Sequence, residues 1–147
     1  MKKSVVAAAA LVGASALTGS AVLPGSATTA APEMHTKRLV LTQSEEHNVG
    51  GGAAFVGSDT VRSESSREIV GYDAITGKFY PKQEKFVVQI ALALKGGIIV
   101  GRVSAKGEVR EFDGRILKGT GKYKGIDGTI HGRFSRQKVH LTLHYQF

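Results

Sequence analysis

Between Lys118 and Arg133 the chain places glycines at 119, 121, 125, 128 and 132, a density that neither a helix nor an ordinary strand accommodates. Glycine weakens a regular element and is favoured where the backbone needs positive φ, a bulge or a close approach. The run therefore reads as a tight turn in its first half and, from Gly128 to Ser135, as a strand entered through a bulge. In that strand Thr129, His131, Arg133 and Ser135 alternate with Ile130, Gly132 and Phe134, which gives one polar face and one apolar face. A glycine run can also cradle phosphate, but only when a following helix points its N-terminus at the anion. No helical period follows, so the run constrains the fold, as a barrel corner, more than it constrains a substrate.

The rest of the chain has the same strand-and-turn grain. Arg38 to Gln43 reads as a strand, Ser44 to Gly52 as a polar loop, and Ala53 to Val61 as a second strand. Glu68 to Thr76 follows, then a turn at Thr76-Gly77-Lys78 and a segment Phe79 to Lys82 containing Pro81, which suits a strand start or a loop. Lys85 to Leu94 is the strongest strand signal: Phe86, Val88, Ile90, Leu92 and Leu94 share one face, and Val87, Gln89, Ala91 and Ala93 the other. Both faces are largely apolar, so burial on both sides is expected. Lys95-Gly96-Gly97 turns into Ile98 to Val103; a short, charged strand is expected at Glu108 to Phe112, after which Asp113-Gly114 leads into Arg115 to Leu117, the approach to the glycine run. Lys138 to Phe147 alternates Val139, Leu141, Leu143, Tyr145 and Phe147 with His140, Thr142, His144 and Gln146, a half-buried pattern. About eight strands at short spacing, with no convincing helix after residue 30, predict an all-β antiparallel barrel or sandwich.

The N-terminal segment has a different grain. A positive start at Met1-Lys2-Lys3, an uncharged Ala/Val/Leu-rich stretch from Val5 to Leu23, and small residues after Pro24-Gly25 have the order of a secretory signal peptide. The expected division is a signal peptide over 1–30, a short leader over 31–37 and a single domain over 38–147, with the mature protein secreted and not inserted in a membrane. There are no cysteines, so such a protein must remain folded without disulfides, and closed backbone hydrogen bonding would serve. The formal charge of +8 admits a polyanion partner. The basic residues are dispersed, however, which favours a solvated surface over a specific nucleic-acid site.

Several of these segments together resemble the dirigent and allene oxide cyclase superfamily. They are Val87 to Leu94, Gly96-Gly97, Ile98 to Val103, Arg110-Glu111-Phe112, Gly119-Thr120-Gly121-Lys122-Tyr123, Gly125 to Gly128 and Leu143-His144-Tyr145, with Gly57-Ser58-Asp59 similar to that family's acidic early strand. The resemblance spans about Leu39 to Phe147. It implies an eight-stranded antiparallel barrel with an apolar lumen open at one end, and proteins that orient a radical coupling or cyclise an unstable substrate. It implies neither a metal nor an organic cofactor, and both dimers and trimers occur among such proteins, so a homo-oligomer is compatible. Allene oxide cyclases are similar in carrying a Glu in their first strand; here Arg38 to Gln43 has no carboxylate, and Glu45 and Glu46 follow in the expected loop. Asp59 matches the dirigent acidic residue, and Arg133 more loosely a basic residue after the glycine turn, so these two are the candidate catalytic residues.

Four further residues are candidates for ligand binding. Tyr72 and Asp73 are adjacent, so only one of them can face the lumen; Tyr72 is the aromatic candidate. Gln89 is the polar member of an apolar strand and must find a partner if buried. Arg102 lies opposite an apolar hairpin, and Tyr145 faces the lumen if the odd positions of the last strand do. Asp59 with Arg62 forms either a pair at the barrel mouth or a surface turn. His140 and His144 are about 13 Å apart along a strand, too far to share a metal ion, and no serine lies in a nucleophile-elbow sequence. Two functions stand open: an exported barrel that binds a small hydrophobic molecule and steers its cyclisation or coupling, and a non-catalytic module that presents a basic surface to a polyanion.

Overall fold

The computed structural model describes residues 31–49, 53–107 and 110–147; the expected signal peptide lies outside the described residues. Eight strands follow in chain order: β1 (His35–Val49), β2 (Ala54–Ser63), β3 (Ile69–Tyr80), β4 (Lys85–Leu94), β5 (Gly97–Lys106), β6 (Glu111–Gly119), β7 (Asp127–Ser135) and β8 (Lys138–Gln146). Each pairs antiparallel with the next, and β8 closes on β1 to complete the barrel. Closure leaves no edge strand among these eight, which satisfies the backbone of a chain that has no cysteine to cross-link.

Alternation decides which side chains enter the barrel. On β4, Ile90, Leu92 and Leu94 are buried, and on β8 Leu141 and Leu143 are buried, so the odd positions of the last strand do point inward. The interior is filled at one end only. Leu39, Val61, Ile99, Ile130 and Leu143 pack there against Tyr123 and Ile126 from the β6–β7 connection. That connection is the glycine run. Lys122 N–H donates to the Gly96 carbonyl at 2.8 Å, and Thr120 exchanges bonds with Ile98. Gly121 has φ 58, and a Cβ there would collide with the Gly96 carbonyl, so the close approach requires glycine. The run thus folds across the barrel end and inserts Tyr123 as a plug, 2% exposed.

Several expected boundaries move. β1 begins at His35, inside the expected leader, and continues through Ser44 to Val49 where a loop was expected, because a bulge between Gln43 and Glu45 keeps it paired with β2. β3 runs unbroken through Thr76-Gly77-Lys78: the Gly77 position faces inward beneath the Phe55 ring, where a Cβ would have no room. β6 likewise passes through Asp113-Gly114, since Gly114 lies against the backbone of β5. β7 pairs with β8 without the expected bulge. The outer face of β4 is not covered: Val87 and Ala91 are half-buried and Gln89 and Ala93 exposed, so burial on both sides does not hold for the single chain.

Candidate functional site

At the end opposite the plug the barrel opens on a cavity of about 490 Å³, within the range of small-molecule sites. Five of the six phenylalanines of the chain, Phe55, Phe79, Phe86, Phe112 and Phe134, line it. Phe79 of β3 stacks on Phe86 of β4 with centroids 4.5 Å apart, and Phe112 of β6 meets Phe134 of β7 edge-on at 5.5 Å. Such geometries follow from the ring quadrupole, and they present faces and edges to a further aromatic ring. Inward glycines make room for these rings: a Cβ at Gly132 would collide with Phe112, as one at Gly77 would with Phe55.

The polar lining has a different origin. Gln43, Glu46 and Asn48 come from β1, Asp59 from β2, and Arg136, Gln137 and Lys138 from the β7–β8 hairpin and the start of β8. The β1 bulge is what admits Glu46 and Asn48. Leu39, Leu41 and Gln43 point inward at odd positions; the extra residue shifts the phase, so that even positions face the cavity from there on. Glu46 is held by Gln43, whose Nε2 donates to Oε2 at 3.0 Å.

Asp59 and Asp73 stand directly opposite each other in the β2–β3 register. They are 7% and 4% exposed, the buried charged residues among those described. Asp59 reaches the cavity, and its backbone N–H donates to Asp73 Oδ1 at 2.8 Å. Asp73 Oδ2 is buried with no hydrogen-bond partner. Two ionised carboxylates opposed in a buried ladder repel strongly and cost desolvation as well. Burial, reinforced by the charge of Asp59, pushes the pKa of Asp73 up to about 7. Burial also raises that of Asp59, the Glu46 charge adds to this, and hydrogen bonding with Asp73 opposes it. Near neutral pH the pair therefore holds a proton that it can give up or take back.

The remaining sequence candidates are spread over the molecule. Tyr72 is 60% exposed on the outer face of β3, so Asp73, not Tyr72, is the member of that dipeptide that enters the barrel. Gln89 and Arg102 pair across β4 and β5 as exposed neighbours on the outside, and Arg133 of β7 is exposed there too. Tyr145 points inward but sits at the plugged end against His35 and Phe147; burial raises the pKa of its phenol. Arg62 lies on the opposite face of β2 from Asp59 and donates to the Arg67 carbonyl at 3.1 Å, so no Asp59–Arg62 pair forms. The histidines of β7 and β8 are held separately, His131 by Asp113 at 2.8 Å, His140 by Glu64 at 3.2 Å and His144 by Thr36 at 3.0 Å.

Asp73 escaped sequence reasoning because β3 blurs the usual contrast. Its inward face mixes Gly71, Asp73 and Gly77 with Ile75 and Phe79, while the aromatic Tyr72 faces out. Glu46 was hidden by the bulge, and Arg136 and Lys138 by the absence of any motif.

Fold and site together define an eight-stranded antiparallel barrel, plugged at one end and open at the other onto an aromatic cavity with a buried carboxyl pair. No family model matches the sequence, and no curated protein matches it. Solved structures share the fold. A pterocarpan synthase dirigent protein superposes with a TM-score of 0.68 at 11% identity, over 90% of this chain and 99% of its own. A pyocyanin demethylase does so with 0.64 at 19% identity, over 76% of this chain and all of its own. A Diels Alderase from Streptomyces koyangensis gives 0.56 at 10% identity, over 80% and 70%. The resemblance to dirigent-type barrels thus holds at the level of the fold.

Proposed function

We propose that this barrel takes a small, largely aromatic molecule into its lumen and steers its cyclisation or isomerisation without a cofactor. The observation that carries the reading is the opposed Asp59–Asp73 pair at an otherwise aromatic cavity. Holding the ligand among five phenylalanine rings restricts it to few conformers and keeps water from the reacting atoms, which can by itself favour one ring closure. Asp59 carboxylate takes a proton from one ligand atom and returns it to another. The sum is an isomerisation, so no oxidant or reductant is consumed. Asp73 acts through Asp59, by its charge and by its bond to the Asp59 N–H. Burial raises the pKa of Asp59, which makes its carboxylate a stronger base for such a shuttle. The three barrels of similar fold are named for acting on small organic molecules, which is compatible with this role. The reading includes export after removal of residues 1–30, for which the order of basic, apolar and small residues is the support.

The test is native mass spectrometry of the mature protein from its own culture supernatant, followed by Asp59→Asn. A retained aromatic molecule that Asp59→Asn still binds but no longer converts is the expected result. A clean apo mass under several growth conditions, with no aromatic ligand shifting the NMR signals of the Phe-lined cavity, would sink it.

A further inference from the structure

The cavity mouth carries a feature that the proton shuttle does not use. Ser135 pairs with Lys138, so Arg136 and Gln137 form a two-residue hairpin connection. Arg136 has φ 57. Both favoured two-residue hairpin turns place positive φ at this first central position, where glycine, asparagine and aspartate dominate because a larger side chain is strained there. Among the described residues, Arg67, Glu84 and Arg136 are the non-glycine positions with positive φ, and of these Arg136 alone lines the cavity. Strain of this kind persists where the side chain has a task that glycine could not do.

The charges around it point to the task. Arg136 lies at the mouth, with Lys138 at its rim on the outward phase of β8, and among the described residues neither has an ion-pair partner. The mouth carboxylate, Glu46, accepts from Gln43 and, among the described residues, forms no ion pair with either cation, and Asp59 is buried further in. Below the two cations begin the phenylalanine walls.

Resting on the lumen reading above, we infer that Arg136 selects an aromatic organic anion, its rings among the phenylalanines and its anionic group held outward at the hairpin. The guanidinium fork suits a carboxylate or a comparable planar anion. The same contact fixes which end of the ligand enters first, and so which ligand atom meets Asp59.

A matched pair of probes tests this: 2-naphthoate and the neutral 2-naphthalenemethanol, titrated calorimetrically into the mature chain. The expected result is a preference for the anion of roughly tenfold, reduced by salt. Arg136→Lys should keep the preference. Arg136→Gly should abolish it without lowering the melting temperature, since glycine relieves the strained φ and the loss cannot then be ascribed to misfolding. Equal affinity of the wild type for both probes overturns the selector and leaves the lumen reading standing, as does a preference that survives Arg136→Gly. Binding of neither probe overturns the lumen reading and this inference with it.

Discussion

A carboxyl whose pKa is pushed up to about 7, as that of Asp73 is, binds its proton more tightly in the folded chain than in the unfolded one, where it titrates near 3.8. Stability from this group is therefore fully present below 3.8 and is lost as pH rises through about 7. A tenfold difference in proton affinity between the two states is worth about 1.4 kcal/mol. Because Asp73 shares its proton with Asp59, the total is on the order of 2 to 4 kcal/mol. Asp73→Asn can keep the oxygen that accepts the Asp59 N–H while removing the ionisable group. It should flatten the pH dependence and raise stability at about pH 8 by a few kcal/mol, read from denaturant midpoints across the pH range. An unchanged pH profile would show that Asp73 is not the titrating group. The sequence marks Asp73 as one of two adjacent residues that cannot both face the lumen. It does not say which one, because on β3 glycines share the inward face with Asp73 and the aromatic Tyr72 lies outside.

At the scale of elements, the aromatic walls depend on what lies beneath them. Phe112 occupies the volume that a Cβ on Gly132 of the adjacent strand would need, so Gly132→Ala must displace the ring and disturb its edge contact with Phe134. Overpacking of this kind costs about 1–3 kcal/mol, measurable as a lowered urea midpoint. The variant should also weaken binding of aromatic ligands. The strands themselves were legible wherever apolar alternation is strong, as on β4 and β8. β1 was not, because its second half, Ser44 to Val49, is polar and is held by pairing with β2 across a bulge. Gly77 and Gly114 carry turn signals in the sequence; inside a closed barrel they are strand residues facing crowded neighbours.

For the whole molecule, closure separates two environments that the sequence mixes together. Gln89, Arg102 and Arg133 lie outside. Changing each to Ala should leave the affinity for a neutral aromatic ligand within about twofold, and that affinity should hardly vary with salt. A protein whose function is its basic surface would behave oppositely, losing affinity for a polyanion steeply as salt rises. The sequence by itself determined most of the strand content, the glycine turn between β6 and β7, and the two-faced alternation of β7 and β8, because side-chain alternation and glycine backbone freedom are local properties. Only the tertiary structure decided that Asp59 meets Asp73, that a bulge turns Glu46 inward, and that Arg136 stands at the mouth. Each of these depends on register between segments distant in the chain, and register is settled by interstrand hydrogen bonds and barrel closure, which no single stretch contains.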